Sequence, residues 1–318
     1  MLNFCTYFDI NYIHRGLALY NSLVKTGESF TLWVLCFDDQ THSILTKLDL
    51  PGIKLISEAA FETGDDALIA TKADRTRVEY YWTCTASLPL YIFKQQPSID
   101  ILIYLDADTF FYSSPRAIID ELGEDSIMIV PHDYAKEYED HIAAGIYNVG
   151  IMAFRNDRNG MECLTWWRER CIEWCYWQYE NGQIGDQAYL NDWPERFEKV
   201  KVSANIGINA APWNVAKYGL NKQGNRIFIS GTPLVCFHFH ALKFSTSCLA
   251  YISSFNVNMP TAELAIAYKP YIRELVAADK QLAGNHVRVP IKTNGIPWRY
   301  IAGRIMRGKP VRHFLWVS

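Results

Sequence analysis

The segment ILIYLDAD, residues 101–108, decides both the fold and the position of the chemistry in this chain. Its first five residues are apolar and predict a buried strand, and two aspartates follow at the carboxyl end. Because side chains two residues apart in an extended segment point the same way, Asp106 and Asp108 are expected to face one site. Neighbouring carboxylates repel unless a cation lies between them, and Mg²⁺ or Mn²⁺ suits such hard oxygen ligands. The segment therefore predicts a divalent-cation site, with an ordinary polar turn as the alternative.

Strand and helix signals alternate on either side of this segment over the first 130 residues. Apolar runs predict strands at 2–8, 30–37, 53–56 and 99–105, and periodic segments predict helices at 14–25, 41–48 and 78–95. Pro89 should kink or interrupt the last of these helices. The alternation is typical of a mostly parallel α/β sheet with helices on both faces. Ligands of such sheets bind beyond the carboxyl ends of the strands, which is where the two aspartates are expected.

The second half of the chain is less regular. Strands are predicted at 127–130, 149–154, 200–202 and 234–240, and helices at 161–179, 186–193 and, as a pair interrupted at Pro270, 260–281. The helix at 161–179 is rich in tryptophan; its spacing favours core packing over the alternative, the border of an acceptor groove. We expect one catalytic α/β domain at 1–250, followed by a helical extension at 251–318 with a basic, aromatic tail.

Charge is distributed unevenly along the 318 residues, although the net charge is only −3. Residues 280–318 carry eight Lys or Arg and no acid, so residues 1–279 sum to −3 − 8 = −11. An acidic body with a basic tail is unlike a nucleic-acid-binding protein, and we expect no nucleic-acid partner. The tail could bind an anionic membrane surface or dock on the acidic body, and both alternatives stay open.

Compartment signals point to the cytoplasm. No run of about 18 apolar residues is present, and the first residues lack the pattern of a signal peptide. Eight cysteines without a C-x-x-C pair predict reduced thiols rather than a zinc site. We therefore expect a cytoplasmic protein, with peripheral contact on the inner face of the cell membrane as an option.

Four further segments accompany the aspartate pair: TYFDINY at 6–12, YNVGIM at 147–152, GDQAYLN at 185–191 and FHFHALK at 237–243. In this order they resemble the nucleotide-sugar glycosyltransferases of the GT-A (Rossmann-like) fold, and among these the family 8-like enzymes. The resemblance covers roughly residues 3–245. Haloacid-dehalogenase-like phosphatases also place D-x-D after an apolar strand. However, they need Thr or Val where Phe110 stands, and about 100 residues precede the motif here.

The resemblance implies which residues bind the donor. Asp106, Ala107 and Asp108 match the D-x-D motif, which holds Mn²⁺ or Mg²⁺ bound to the nucleotide diphosphate. The remaining donor-binding residues implied are Thr6, Asp9, Asn11, Tyr12 (by stacking on uracil), Arg77 and, against the diphosphate, Lys243. Lys72 is a further candidate near Arg77, and the alternative for residues 6–12 is ordinary loop polarity with a helix cap.

The resemblance also implies the reacting site. Asn148 matches the family's N-x-G strand, although Val149 replaces the usual Ser, and would reach the donor sugar or the acceptor. Asp186 and Gln187 match a D-Q segment that faces the reacting sugar, although Ala188 replaces a second acid.

Two histidines complete the implied metal site. His238 occupies the family's metal-ligand position, with Ala241 where Gly is usual. In a strand His240 would share the face of His238, so the sequence leaves open which of the two binds the metal.

Taken together, these residues imply a metal-dependent, retaining glycosyltransferase of the hexosyltransferase type. It would move a sugar from a UDP-sugar to a glycan or lipid-linked acceptor, and polysaccharide or lipopolysaccharide biosynthesis fits by analogy. The alternative is a non-catalytic protein that binds a sugar nucleotide or a glycan on the same fold. The sequence names neither the sugar nor the acceptor.

Overall fold

The structure is a computed structural model that describes residues 1–180, 182–246, 249–251, 259–291, 306 and 314–316. The strands are β1 (Leu2–Phe8), β2 (Phe30–Cys36), β3 (Ile53–Ser57), β4 (Ile101–Leu105), β5 (Thr109–Phe111), β6 (Ile127–Pro131), β7 (Tyr147–Arg155), β8 (Val200–Val202), β9 (Leu220–Gln223), β10 (Arg226–Ile229), β11 (Thr232–Pro233), β12 (Cys236–His238), β13 (Lys243–Thr246), β14 (Leu249–Tyr251) and β15 (Phe314–Trp316). The α-helices are α1 (Ile13–Lys25), α2 (Asp39–Leu48), α3 (Glu58–Glu62), α4 (Asp66–Ala70), α5 (Arg77–Gln95), α6 (Arg116–Leu122), α7 (Arg158–Glu173), α8 (Trp193–Arg196), α9 (Val215–Tyr218) and α10 (Thr261–Gly284). Short 3₁₀ helices lie at Ile10–Tyr12, Thr71–Ala73, Lys136–Ala144 and Ala188–Asp192.

The central sheet has seven strands in the order β3-β2-β1-β4-β7-β6-β8. Strands β1 to β4 pair in parallel, β7 pairs antiparallel with β4 and β6, and β6 pairs in parallel with β8. This arrangement confirms the predicted mostly parallel α/β sheet. It also places the loops after β1 and β4 at one edge of the sheet, where a ligand of such a sheet binds.

Strand β4 is buried on both faces, as its apolar sequence predicts. Ile103 and Leu105 belong to one core with α1, α2, α6 and α10, whereas Leu102 and Tyr104 belong to a second core with α3, α4, α5 and α7. Helices thus cover both faces of the sheet, and the end of β4 is fixed by packing from two sides.

The tryptophan-rich segment differs from its prediction. Helix α7 ends at Glu173, because Trp174 has extended backbone, so Trp177 lies in the following loop rather than in a helix. Trp167 is buried, which confirms core packing for that residue, but Trp177 is 72% exposed. The expectation of core packing is therefore wrong for Trp177.

The predicted helix pair at 260–281 is wrong, because α10 runs through Pro270 as one helix. A proline in a helix interior costs about 3 kcal/mol. Here the residues around it are held by packing: Tyr268 and Tyr271 are buried, and the ring of Tyr271 stacks on Phe239 at 3.9 Å. Helix α5 likewise continues through Pro89.

The carboxyl-terminal helix packs on the amino-terminal part of the chain. Glu274 of α10 accepts a hydrogen bond from Asn21 at 3.0 Å and pairs with Lys25 on α1. The predicted domain boundary at 250 stays a prediction. Within the described residues, no helix combines the length and the apolarity needed to cross a membrane. The predicted membrane contact of the basic tail falls largely on residues 292–305 and 307–313, outside the described residues.

We predict that Tyr271→Ala lowers the free energy of unfolding by about 3–5 kcal/mol, since it removes a buried, stacked ring from the core. Urea unfolding followed by tryptophan fluorescence measures this loss. Lys269→Ala, an exposed change on the same helix, should shift it by no more than about 0.5 kcal/mol. A separate transition for α10 that leaves the rest of the chain unaffected would contradict the prediction.

Candidate metal and nucleotide site

Asp106 and Asp108 lie in a turn between β4 and β5. The backbone N–H of Asp106 donates to the carbonyl of Gly150 at 2.9 Å, and Thr109 closes the turn by donating to the carbonyl of Asp106 from its backbone, at 3.1 Å, and its hydroxyl, at 2.8 Å. The two carboxylates converge, as predicted, but the turn brings them together rather than an extended strand.

His238 joins the two aspartates because β12 pairs antiparallel with β5, which sets His238 opposite Thr109. Its Nε2 lies 3.1 Å from Oδ1 of Asp108 and 3.6 Å from Oδ2 of Asp106. One ligand atom from each of the three residues lies within 4.8 Å of the others. Two carboxylates and one imidazole in this geometry fit a divalent cation such as Mn²⁺ or Mg²⁺.

The pKa values of Asp106, Asp108 and His238 shift in different directions because the three groups act on one another. Burial raises the pKa of Asp106, and the neighbouring Asp108 adds to that rise, while His238 opposes it. Burial would also raise the pKa of Asp108, but the charge and hydrogen bond of His238 hold that pKa well below its usual range. Burial lowers the pKa of His238, yet the two aspartates raise it on balance. A positive charge between the carboxylates is thus favoured, and either a proton on His238 or a bound cation supplies it.

The N-x-G segment on β7 supports His238. Oδ1 of Asn148 lies 3.3 Å from Nδ1 of His238 and accepts the backbone N–H of Gly150 at 3.0 Å. A Cβ atom at position 150 would lie 2.5 Å from Nδ1 of the histidine, so only glycine leaves room for that ring. Asn148 therefore positions the ring of His238 and gives its Nδ1 the partner that a histidine needs in order to bind a metal through Nε2.

A chain of buried hydroxyl groups connects the two acidic parts of the site. Tyr104 donates to Oδ1 of Asp106 at 2.8 Å and is hydrogen-bonded to Tyr7. The hydroxyl of Tyr7 lies 3.0 Å from that of Thr85, whose side chain hydrogen-bonds the carboxyl group of Asp186. The sequence analysis did not single out these hydroxyl residues. Tyr104 could have been found, since it lies on β4 two residues before Asp106.

Asp186 is buried beside this chain, and burial raises its pKa to about 7. The hydrogen bond from Thr85 opposes the rise and the charge of Asp106 adds to it. The carboxyl group therefore changes its protonation state near neutral pH, and the charge of Asp106 influences that change.

The side chain of Gln187 is fixed at both ends. Its Nε2 donates to the carbonyl of Ala144 at 2.9 Å, and its Oε1 accepts from Nδ2 of Asn148 at 3.4 Å. His132 also contacts that amide, with its Nε2 3.2 Å from Nδ2 of Asn148. Burial and the charge of His238 lower the pKa of His132 to about 3, so this ring is neutral. The structure thus brings together Asn148 and Gln187 and adds His132, which the sequence analysis missed.

The loop after β1 lies at the same edge of the sheet. Asp9 caps the first 3₁₀ turn through the backbone N–H of Asn11 at 3.0 Å and accepts from the hydroxyl of Tyr81 at 3.2 Å. Tyr12 is 44% exposed, and the guanidinium of Arg15 lies 4.5 Å from its ring centre. The predicted helix cap is present, and it leaves the ring of Tyr12 accessible to a flat ligand.

The predicted basic residues fall in different places. Nε of Arg77 lies 3.9 Å from Oδ2 of Asp9, whereas Lys72 pairs with Glu58 at 2.8 Å and also with Glu62. Lys243 is exposed at the start of β13, next to Leu242, whose carbonyl accepts from Arg15 at 2.8 Å.

Three further predicted residues are also placed. Thr6 is completely buried within β1, and Ala107 is buried between the two aspartates. His240 lies outside the three ligand atoms described above; its ring is 5.9 Å from that of His238 and 5.8 Å from that of Trp213. The geometry favours His238 as the metal ligand.

Comparisons with known proteins agree with this architecture. No family model matches the sequence. The uncharacterized protein YfnF of Bacillus subtilis strain 168 is 31% identical over 248 residues, which are 76% of this chain and 81% of YfnF. The uncharacterized protein YfnD of the same organism is 27% identical over 276 residues, 86% of this chain and 88% of YfnD.

Two solved structures of the galactosyltransferase LgtC are similar in fold. The complex with donor and acceptor sugar analogs has a TM-score of 0.58 at 15% identity and covers 89% of this chain and all of LgtC. An active-site mutant, in which glutamate replaces a glutamine, has a TM-score of 0.56 at 16% identity with the same coverage of this chain. These similarities confirm the predicted GT-A fold.

We predict that Asp186→Asn stabilises the metal-free protein at pH 8 by roughly 2–4 kcal/mol. The folded-state pKa of Asp186 is raised to about 7 from an ordinary 3.8, so ionising this group opposes folding progressively as the pH rises between those values. The advantage of the variant should therefore shrink as the pH falls from 7 to 5. Urea unfolding in EDTA at pH 5, 6, 7 and 8 measures it, with the exposed Asp120→Asn as control. A difference that is the same at all four pH values would contradict the prediction.

Proposed function

We infer that this chain, which belongs to the same family as Bacillus subtilis YfnF and has the GT-A fold, is a metal-dependent glycosyltransferase. It transfers a sugar from a nucleotide-diphosphate donor, for which we propose a UDP-sugar, to a glycan or a lipid-linked glycan. The observation that carries this proposal is the group formed by Asp106, Asp108 and His238, because it joins a cation site to the edge where such a sheet binds its ligand.

Mn²⁺ or Mg²⁺ at this group would supply positive charge to the two phosphates of the donor and to the leaving nucleotide diphosphate. Asp106, Asp108 and His238 would hold the ion, with Asn148 fixing the ring of His238. The exposed Lys243 would add a second positive charge toward the diphosphate. The protein's share of the work is thus to hold three ligands in place before the donor arrives.

The nucleoside would bind along the loop after β1. The exposed ring of Tyr12 offers a stacking surface for the base, and Asp9 and Asn11, in the same loop, would offer polar groups to the ribose. Arg77, whose Nη2 donates to the carbonyl of Phe37 at 2.7 Å, is held beside Asp9 and is a candidate for a ribose or phosphate contact. Thr6 is buried beneath this loop, and its predicted contact with the nucleotide stays a prediction.

We propose that transfer retains the anomeric configuration by displacement on one face of the sugar. The bond from the anomeric carbon to the diphosphate oxygen breaks, the acceptor hydroxyl forms the new bond, and its proton passes to the departing diphosphate. Gln187 would lie near the anomeric carbon, with its amide already oriented by Ala144 and Asn148. The active-site glutamine of an LgtC mutant supports this role by analogy. Asp186 would orient the site from its buried position.

The setting of the reaction is also part of the proposal. A polysaccharide or lipopolysaccharide pathway at the cytoplasmic face of the membrane fits a lipid-linked acceptor and the basic residues at 280–318. This part is supported by the charge pattern of the sequence.

Titration calorimetry with UDP, with and without Mn²⁺, followed by an assay of UDP-sugar hydrolysis, tests the proposal. We expect tight binding only with the metal, loss of binding in EDTA, and turnover of at least one UDP-sugar. Asp108→Asn should weaken metal-dependent binding by more than about 100-fold, and Tyr104→Phe, which acts through Asp106, by about 10-fold. Asp120→Asn should behave as the unchanged protein does.

Three results would contradict the proposal. An affinity for UDP that is the same with and without Mn²⁺ would contradict the proposed role of Asp106, Asp108 and His238. Binding without turnover of any UDP-sugar would favour the non-catalytic alternative. Inversion at the anomeric carbon, read by NMR of the product, would overturn the retaining mechanism.

A further inference from the structure

Two stacked tryptophans form an aromatic platform, defined here as Trp82 and Trp177, that the chemistry above does not use. Their ring centroids are 5.0 Å apart and their planes differ by 26°. Trp82 is half-buried on α5, whereas Trp177 is 72% exposed. Leaving so large an apolar ring in water forgoes the free energy of its burial, and such rings are common where a ligand supplies the missing contact.

The platform is held rigidly by groups that are not part of the stack. The backbone N–H of Trp177 donates to Oε1 of Glu79 at 2.7 Å, and Glu79 belongs to the capping box of α5 with Thr76. The hydroxyl of Tyr176 donates to Asp74 at 2.7 Å. The loop after α7 is therefore tied to the first turn of α5 through Trp177 and to Asp74, just before α5, through Tyr176, and these contacts hold the backbone from which the exposed ring projects.

The platform adjoins the reacting site. The backbone N–H of Gly185 donates to the carbonyl of Tyr176 at 2.9 Å. Trp177 follows Tyr176 and Asp186 follows Gly185, so this hydrogen bond holds the two segments side by side. Gly185 has φ +55°, and a Cβ atom there would lie 3.3 Å from the ring of Trp82. Trp82 lies three residues before Thr85 on α5, so the two side chains share a face of the helix. The side chain of Thr85 hydrogen-bonds Asp186.

Helix α5 therefore presents different groups to two parts of the site. Arg77 and Tyr81 contact Asp9 in the loop after β1, whereas Trp82 lies against Gly185 and Thr85 hydrogen-bonds Asp186. A ligand that extends past the reacting sugar on the Asp186 side meets the aromatic platform.

We propose that the aromatic platform is the acceptor subsite, where a pyranose ring of the acceptor glycan stacks with its C–H face on the indole of Trp177. This inference rests on the proposed function and names the class of acceptor: a sugar with an apolar ring face, rather than a lipid chain or a peptide. A stacked indole gives a flat surface of the size of a pyranose ring, and the hydrogen bond from Gly185 to Tyr176 holds that surface beside the segment that carries Asp186 and Gln187.

Saturation-transfer NMR with lactose, methyl β-D-glucopyranoside and methyl N-acetyl-β-D-glucosaminide, in the presence of UDP and Mg²⁺, tests the proposal. We expect saturation transfer to the C–H protons of one ring face and an approximately tenfold weaker affinity in Trp177→Ala. Trp177→Phe keeps an aromatic face and should lose less. Tyr179→Ala, which removes another aromatic side chain of the same loop at 60% exposure, should bind as the unchanged protein does.

Titration of the same variants with UDP and Mg²⁺ separates this inference from the proposed function. Trp177→Ala should bind UDP with unchanged affinity, because Trp177 meets α5 at Trp82 and Glu79, whereas the loop after β1 meets that helix at Arg77 and Tyr81. If the unchanged protein binds no UDP, the proposed function fails whatever the sugars do.

The platform proposal itself is overturned by any of three results. One is equal sugar affinity in the unchanged protein and Trp177→Ala, and another is no saturation transfer from the unchanged protein to any of the three sugars. The third is a change in oligomeric state, measured by sedimentation, in Trp177→Ala without a change in sugar affinity. That result would place the ring of Trp177 at an interface between copies of this chain. Thermal unfolding of each variant confirms that the exposed substitution leaves the fold intact.

Discussion

Repulsion between the carboxylates of Asp106 and Asp108 is the constraint on which the rest of the site depends. Asp108 is buried and the side chain of Asp106 is 31% exposed, so a positive charge close to both carboxylates is needed to offset their repulsion. A proton on His238 or a bound cation supplies that charge, and the pairing of β12 with β5 holds Nε2 of His238 at 3.1 Å from Oδ1 of Asp108. Gly150 leaves the space for it and Asn148 holds its far nitrogen.

Helix α5 contributes to each part of this arrangement. Its residues contact Asp9 in the loop after β1, the hydroxyl chain at Thr85 and the aromatic platform at Trp82. A chain of hydroxyls through Tyr104, Tyr7 and Thr85 joins Asp106 to Asp186. Burial raises the pKa of Asp186 to about 7, and the charge of Asp106 adds to that rise.

Sequence patterns predict the architecture well because it is set by local apolar runs. Strand β4, buried on both faces, and the helices around it could be located to within a few residues. The convergence of the two aspartates could also be predicted, since they are only two residues apart. Features that depend on long-range packing could not. The continuity of α10 through Pro270 depends on the stacking of Tyr271 on Phe239, and the choice between His238 and His240 depends on the register of β12 against β5. The exposure of Trp177 depends on where α7 stops.

Anomalous diffraction at the manganese edge, from crystals grown with MnCl₂ and UDP, tests the central claim most directly. The account predicts one strong peak between the carboxylate oxygens of Asp106 and Asp108 and Nε2 of His238, with the diphosphate on its open side. A strongest peak at another site, or no peak while His238 remains paired with Asp108, would contradict it.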